Sequence, residues 1–274
     1  MPEIKHFPSG RVKPESTSLQ EFRRDVTSQC GEDGLIEKIC GILGIKNKWC
    51  VEFGAWDGKL YSNSWALINN DGWKAVLIEG NEDKFAELRE NYSGNHEVVA
   101  INTLVDFSGG ASSLDAILAN TAIPRDFEFL CIDVDGCDWH IWSSLTDYRP
   151  RLVEIEFNPS IPNHVYFVQD ADSSVNHGSS LRAMIELGKN KGYELVATTS
   201  WNAFFVAADE FSKFNIEDNA IDSMHSPGEF ESSLFQLYDG TMVLTGCTRL
   251  LWHKIPITFE DIQVLPQALR RYRG

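Results

Sequence analysis

The chain has 274 residues, 43% hydrophobic and 23% charged, which suits one large globular domain with an appendage. Its 40 acidic and 24 basic residues give a formal net charge of −16, a field that repels phosphate backbones and anionic membranes, so neither nucleic acid nor membrane is an expected partner. The six cysteines show no CxxC pair or zinc spacing, the first 18 residues hold no apolar signal core, and no apolar stretch approaches bilayer length; a reducing, cytoplasmic location is the expectation.

Residues 1–18 are polar and Pro-containing and read as a flexible arm. From 19 to 208 strands alternate with helices. Residues 49–54 form a short apolar strand ending in glycine, 63–70 a helix, and 74–80 (KAVLIEG) a buried strand. A helix over 82–92 places Phe85, Leu88 and Tyr92 on one face, and 97–104 is a third strand. Ser112-Ser113-Leu114-Asp115 carries a serine cap and a first-turn acid, opening a helix with Leu114, Ile117 and Leu118 inward. Strands follow at 127–133 and 151–158 with a helix over 138–145 between them. A helix over 179–191 stops at Gly192, and 193–198 with 203–207 form an antiparallel pair. This alternation predicts right-handed crossovers and a mostly parallel sheet, with ligands beyond the carboxyl ends of the strands. Residues 209–274 form a C-terminal extension on the same domain. It comprises an acidic, lid-like segment at 209–231 with seven acids and one lysine, then a hairpin and a tail.

The turn Glu52-Phe53-Gly54-Ala55-Trp56-Asp57-Gly58 follows the first strand. Gly54 and Gly58 permit a tight turn and close approach of a ligand. Trp56 stands where a dinucleotide fingerprint needs its second glycine, leaving little room for a pyrophosphate. Glu52 and Asp57 would repel one and attract an ammonium or sulfonium instead. Glu79, 21 residues after Gly58, ends the second strand, is followed by Asn81, and is placed to accept the ribose hydroxyls of an adenosine. Asp106 and Ser113, after the third strand, mark where an adenine would lie. Each piece taken singly also reads as an ordinary α/β turn with a solvated acid.

Asp133 and Asp135 end the fourth strand; Glu156 and Asn158 end the fifth. Strand alternation puts Glu154, Glu156 and Asn158 on one face, where carboxylates are costly unless paired or metal-bound. Asp133, Asp135, Glu156 and Asn158 are hard oxygen donors suited to Mg2+ or Mn2+, and such a cation beside a hydroxyl lowers its pKa. Two other roles stay open: Asp133 holding an ammonium or capping the next helix, and Glu156 pairing with Arg151 or Arg182. His177, just before the helix at 179–191, is a candidate general base and equally reads as a surface histidine. Gln29, with Glu32 and Asp33, sits in a turn-prone segment that reads as a helix start with acids in its first turn.

The ordered run SQCGEDG (28–34), VEFGAWDG (51–58), LIEGN (77–81), CIDVDGCDWHIW (131–142) and EIEFNPSIP (154–162) resembles the FkbM-type methyltransferases over about residues 26–208. The FQLYDG…LLWH segment is similar to a little-characterised branch of them. The resemblance implies an α/β, Rossmann-like class I methyltransferase fold: a mostly parallel seven-stranded sheet, helices on both faces and a C-terminal extension. It also implies S-adenosylmethionine as cofactor, covered by the segment carrying Gln29, and a sugar or other small polar molecule as methyl acceptor. On the motifs above, adenosylmethionine would meet Gln29, Glu52, Gly54, Ala55, Asp57, Gly58, Glu79, Asn81, Asp106, Ser113 and Asp133. His177, Asp133 and Glu156 would serve transfer to a hydroxyl. A binding module without turnover stays open, as does a nicotinamide-linked oxidoreductase, which Trp56 disfavours.

Overall fold

The computed structural model describes residues 19–226, 230, 232–250 and 254–272; the arm expected at 1–18 lies outside them. Short runs rich in apolar and β-branched residues form the central strands: β1 (Trp49–Phe53), β2 (Lys74–Glu79), β4 (Phe129–Ile132) and β5 (Leu152–Glu156). β3 (Val98–Asn102), β6 (Tyr193–Thr198) and β7 (Asn202–Ala207) complete a seven-stranded sheet of order β3-β2-β1-β4-β5-β7-β6. β7 runs antiparallel to both its neighbours, and the pairings from β3 through β5 are parallel.

Side-chain alternation divides the core between two faces. Val51, Val76, Leu130 and Val153 pack against α4 (Leu114–Ala119), α5 (Asp138–Ser144) and α6 (Leu181–Asn190). Cys50, Leu77, Phe129 and Leu152 pack on the other side, against Leu35, Ile36 and Ile39 of α1 (Glu32–Leu43), Leu67 and Ile68 of α2 (Trp65–Asp71) and Leu88 of α3 (Glu82–Asn91). Local chemistry sets several helix starts: Asn81 accepts from the amides of Asp83 and Lys84, Ser113 from Ala116 and Ser180 from Ala183. This is a Rossmann-like class I methyltransferase fold. Strand order reverses between β1 and β4, so the crevice beyond their carboxyl ends is where a ligand is expected.

At the opposite end of the sheet Arg151 is buried, donating to Glu128 at 2.7 Å and Glu210 at 2.8 Å and to the carbonyls of Leu43 and Gly44. It fastens the starts of β4 and β5 to the end of α1.

The described part of the acidic segment after β7 packs against the sheet edge, and Phe230 meets the Trp201 ring with centroids 4.9 Å apart. Phe214 and Met224, the latter in α7 (Ile221–Met224), are buried. Thr198 donates to the Met224 carbonyl and Asn219 to Glu194, each at 2.8 Å. None of the described residues of 209–231 reaches the crevice lining. Beyond it, β8 (Ser232–Gln236) and β9 (Met242–Gly246) form a hairpin, and β10 (Arg249–Leu250) pairs with β11 (Ile255–Pro256). Among the described residues no helix is long and apolar enough to cross a membrane.

Candidate functional site

A cavity of about 690 Å³ opens at the carboxyl tips of β1, β2, β4 and β5. That volume falls within the several hundred cubic ångströms of ordinary small-molecule sites. Its walls come from the turn before α1 (Gln29, Cys30) and the first residue of that helix (Glu32), the β1 tip and following loop, and the tips of β2 to β5. The β6–β7 turn (Trp201, Asn202) and Lys254 from the C-terminal extension complete them.

The β1 turn is held by backbone geometry. Gly54 has φ +73, and a Cβ there would lie 1.9 Å from the Asp133 carbonyl oxygen; only glycine lets β1 and β4 approach so closely. The Ala55 amide donates to the Ile78 carbonyl at 3.1 Å, tying the turn to β2. Trp56 lines the cavity at φ +51, 44% exposed, with the Lys84 ammonium 4.9 Å from its ring centre.

Glu79 is buried at the β2 tip and lines the cavity. One carboxylate oxygen accepts from the Trp56 amide at 2.8 Å and the other from the Asn81 amide at 2.6 Å. These bonds fix the group's orientation, and each oxygen keeps a lone pair for a further donor. Glu52 differs. Its carboxylate is buried and accepts from Ser62 Oγ, Ser64 Oγ and the Asn63 amide. Burial pushes its pKa up, and those donors oppose the shift. Glu52 thus shapes the loop that carries Leu60, Tyr61 and Ser62 along the cavity wall.

On the other side of the reversal, carboxylate oxygens of Asp133, Asp135 and Glu156 lie within 4.8 Å of one another. Asp133 and Glu156 are half-buried, and no donor among the described residues reaches either carboxyl. Glu156 pairs with neither arginine the sequence offered: Arg151 is engaged by Glu128 and Glu210, and Arg182 donates to the Asn163 carbonyl. Burial pushes Asp133 and Glu156 well above the usual carboxylate range, and the neighbouring acids add to the shift. No side chain caps α5; Asp138, its first residue, accepts instead from the Val134 and Gly136 amides of the preceding loop, and burial raises it to about 6. Behind this cluster Glu154 is completely buried, and neither of its oxygens has a hydrogen-bond partner. Burial, then Glu32, Glu52 and Asp133, drive its pKa far up.

Several sequence candidates lie outside the cavity lining. Asp57 closes its own turn, accepting from the Lys59 and Leu60 amides. Gly58 packs beneath Tyr92, which donates to the Gly58 carbonyl at 2.8 Å. Asn81 and Ser113 serve as helix caps, and Asp106 is engaged by Ser108. Asn158 is buried outside the cavity lining, its side-chain oxygen accepting from both the amide and the hydroxyl of Ser160 and its amide donating to the His177 carbonyl, so its oxygen is engaged within the neighbouring loop. His177 stacks edge-on against Phe167 with centroids 5.3 Å apart. Gln29, Glu52, Gly54, Ala55, Glu79, Asp133, Asp135 and Glu156 are brought together around one space. To these the structure adds Thr103, Leu104 and Val105 beside the β2 tip, Trp201 and Asn202 after β6, and Lys254.

No protein-family model matches the sequence, and no curated protein matches it. Solved structures give distant likenesses. The N-terminal domain of EvdMO1, crystallised in the presence of SAH and D-fucose, is 11% identical, covering 70% of this chain and 94% of that one at a TM-score of 0.42. A SAM-dependent methyltransferase from Aquifex aeolicus is 11% identical, covering 71% and 98% at a TM-score of 0.39. The CMeT domain of the citrinin polyketide synthase is 10% identical, covering 64% and 51% at a TM-score of 0.43. Likeness at these scores decides nothing about this chain, and the fold class stands on the strand order.

Proposed function

We propose that this chain is an S-adenosylmethionine-dependent methyltransferase acting on a hydroxyl of a small polar acceptor, such as a sugar. One observation carries the reading: a buried carboxylate, Glu79, faces a roomy cavity at the tip of β2, directly beside the β1 turn at the strand-order reversal. An acid at that position suits the paired hydroxyls of a ribose. Thr103, Leu104 and Val105 offer an adjoining wall for an adenine. Glu32, Asp133 and Glu156 offer negative charge to the ammonium and sulfonium of the methionine end. Trp56 over the same turn disfavours a dinucleotide. The FkbM-type reading of the motifs rests on the residues alone.

Transfer requires the acceptor oxygen in line with the methyl–sulfur bond and a group to take its proton. Of the carboxyls lining the cavity, Asp133 and Glu156 have no donor among the described residues, and a carboxylate raised by burial and like charge is a stronger base than one in water. They replace His177 as the favoured proton acceptors. The oxygens of Asp133, Asp135 and Glu156 also fit a hard divalent cation, Mg2+ or Mn2+, which when bound would lower the pKa of a neighbouring hydroxyl. Asn158 is not part of that set.

The test is formation of S-adenosylhomocysteine from S-adenosylmethionine over a panel of hydroxyl acceptors, with and without manganese. Turnover with a hydroxyl compound that falls at least about a hundredfold in Glu156→Gln supports the reading. Cofactor binding without turnover of any acceptor supports a binding module instead.

A further inference from the structure

Lys254 is the one cation among the described residues lining the cavity. It comes from the turn leading into β11, far along the chain from every other lining residue, and its backbone is held at φ +54. A left-handed conformation at a residue other than glycine costs about 1 kcal/mol or more and tends to persist where a site requires it. No carboxylate among the described residues forms an ion pair with it.

Three of the neutral side-chain donors in the lining are committed elsewhere. Ser62 donates to Glu52, Asn202 to Glu32 and Asn63 to the Cys131 sulfur. The cavity therefore has many acids to receive a cation and one charged group to receive an anion. Adenosylmethionine brings both kinds of charge: a sulfonium and an ammonium, and one carboxylate. The carboxylate would enter a space walled by acids, where an unpaired anion is repelled.

We infer that Lys254 binds the amino-acid carboxylate of the cofactor, so that the C-terminal extension completes the cofactor site from outside the sheet. The inference rests on adenosylmethionine being the ligand. A lysine ammonium meeting a carboxylate forms a charge-assisted hydrogen bond, and loss of such a bond weakens binding by about tenfold or more.

The test compares S-adenosylhomocysteine, which carries the carboxylate, with 5′-methylthioadenosine, which lacks it, by calorimetry. Lys254→Asn is the working variant, because asparagine tolerates a left-handed backbone and keeps the turn. Affinity for S-adenosylhomocysteine should fall about tenfold or more in Lys254→Asn, recover substantially in Lys254→Arg, and stay unchanged for 5′-methylthioadenosine in both. Equal affinity for S-adenosylhomocysteine in the wild type and Lys254→Asn would overturn the inference while leaving the cofactor assignment standing. An equal loss for both ligands would overturn it too, because Lys254 would then act through the shape of the site. A wild type that binds 5′-methylthioadenosine but not S-adenosylhomocysteine, or binds neither, removes the cofactor reading and this inference with it.

Discussion

Replacing Gly54 by alanine tests how tightly the cavity floor is built. Two costs combine at this position. An L-residue at φ +73 is strained by roughly 1–2 kcal/mol. The new methyl would also lie 1.9 Å from the Asp133 carbonyl oxygen, so the β1 and β4 tips must part by about 1 Å. Overpacking of that kind costs typically about 1–3 kcal/mol, giving about 2–5 kcal/mol together. At roughly 2–4 °C per kcal/mol for a chain of this size, the melting temperature should fall by about 5–15 °C. Gly72→Ala is the control. Gly72 has φ +67 with nothing within 4 Å of the added Cβ, so it carries the strain alone and should cost about 1–2 kcal/mol. Thermal unfolding of both variants, followed by circular dichroism, separates the two terms. Equal shifts for Gly54→Ala and Gly72→Ala would refute the close approach of β1 to Asp133.

The buried ion cluster at the far end of the sheet predicts that Arg151→Met destabilises by about 3–5 kcal/mol, because the buried Glu128 loses its charge partner while Glu210 keeps Lys46 and Lys213; a loss under about 1 kcal/mol in denaturant titration would contradict it. Glu154 predicts a pH effect of definite sign. Its folded pKa lies well above the ordinary 4.5, so the folded chain holds a proton that the unfolded chain releases, and stability falls as pH rises from about 4.5 toward the folded value. Glu154→Gln removes this term: the variant should match the wild type near pH 4 and exceed it increasingly at higher pH, by up to about 1.4 kcal/mol per pH unit. A stability difference independent of pH would contradict it. Manganese binding, followed by electron paramagnetic resonance, should be weakened at least about tenfold in Glu156→Gln and unaltered in Asn158→Ala, whose side chain belongs to the neighbouring loop.

The alternation of apolar runs with helix caps made the sheet and its two helical faces legible, because period, cap and glycine all point the same way at Gly54 and Ser113. Glu79 was legible for the same reason: a strand tip is fixed by the strand. Side-chain commitments were less so. Asp57, Asp106 and Asn158 are each followed two residues later by a backbone amide that they capture, a local pattern that competes with any ligand role and is visible in sequences such as Asn-Pro-Ser. Glu52 was read as facing a cation, but the Ser62-Asn63-Ser64 run claims its carboxylate, a pairing made across a loop. Lys254 had no signal, since it reaches the cavity from a turn with no periodicity to place it. The acidic run after β7 read as lid-like from its charge; the two apolar anchors within it, Phe214 and Met224, are too widely spaced to give a periodic signal.

The central claim is an adenosine-recognising cavity with Glu79 at its ribose end. Calorimetric titration of S-adenosylhomocysteine and NAD into the wild type and Glu79→Gln measures it directly. The account predicts binding of S-adenosylhomocysteine, a loss of about tenfold or more in Glu79→Gln, and no binding of NAD. Binding of NAD alone, or undiminished affinity for S-adenosylhomocysteine in Glu79→Gln, would contradict it.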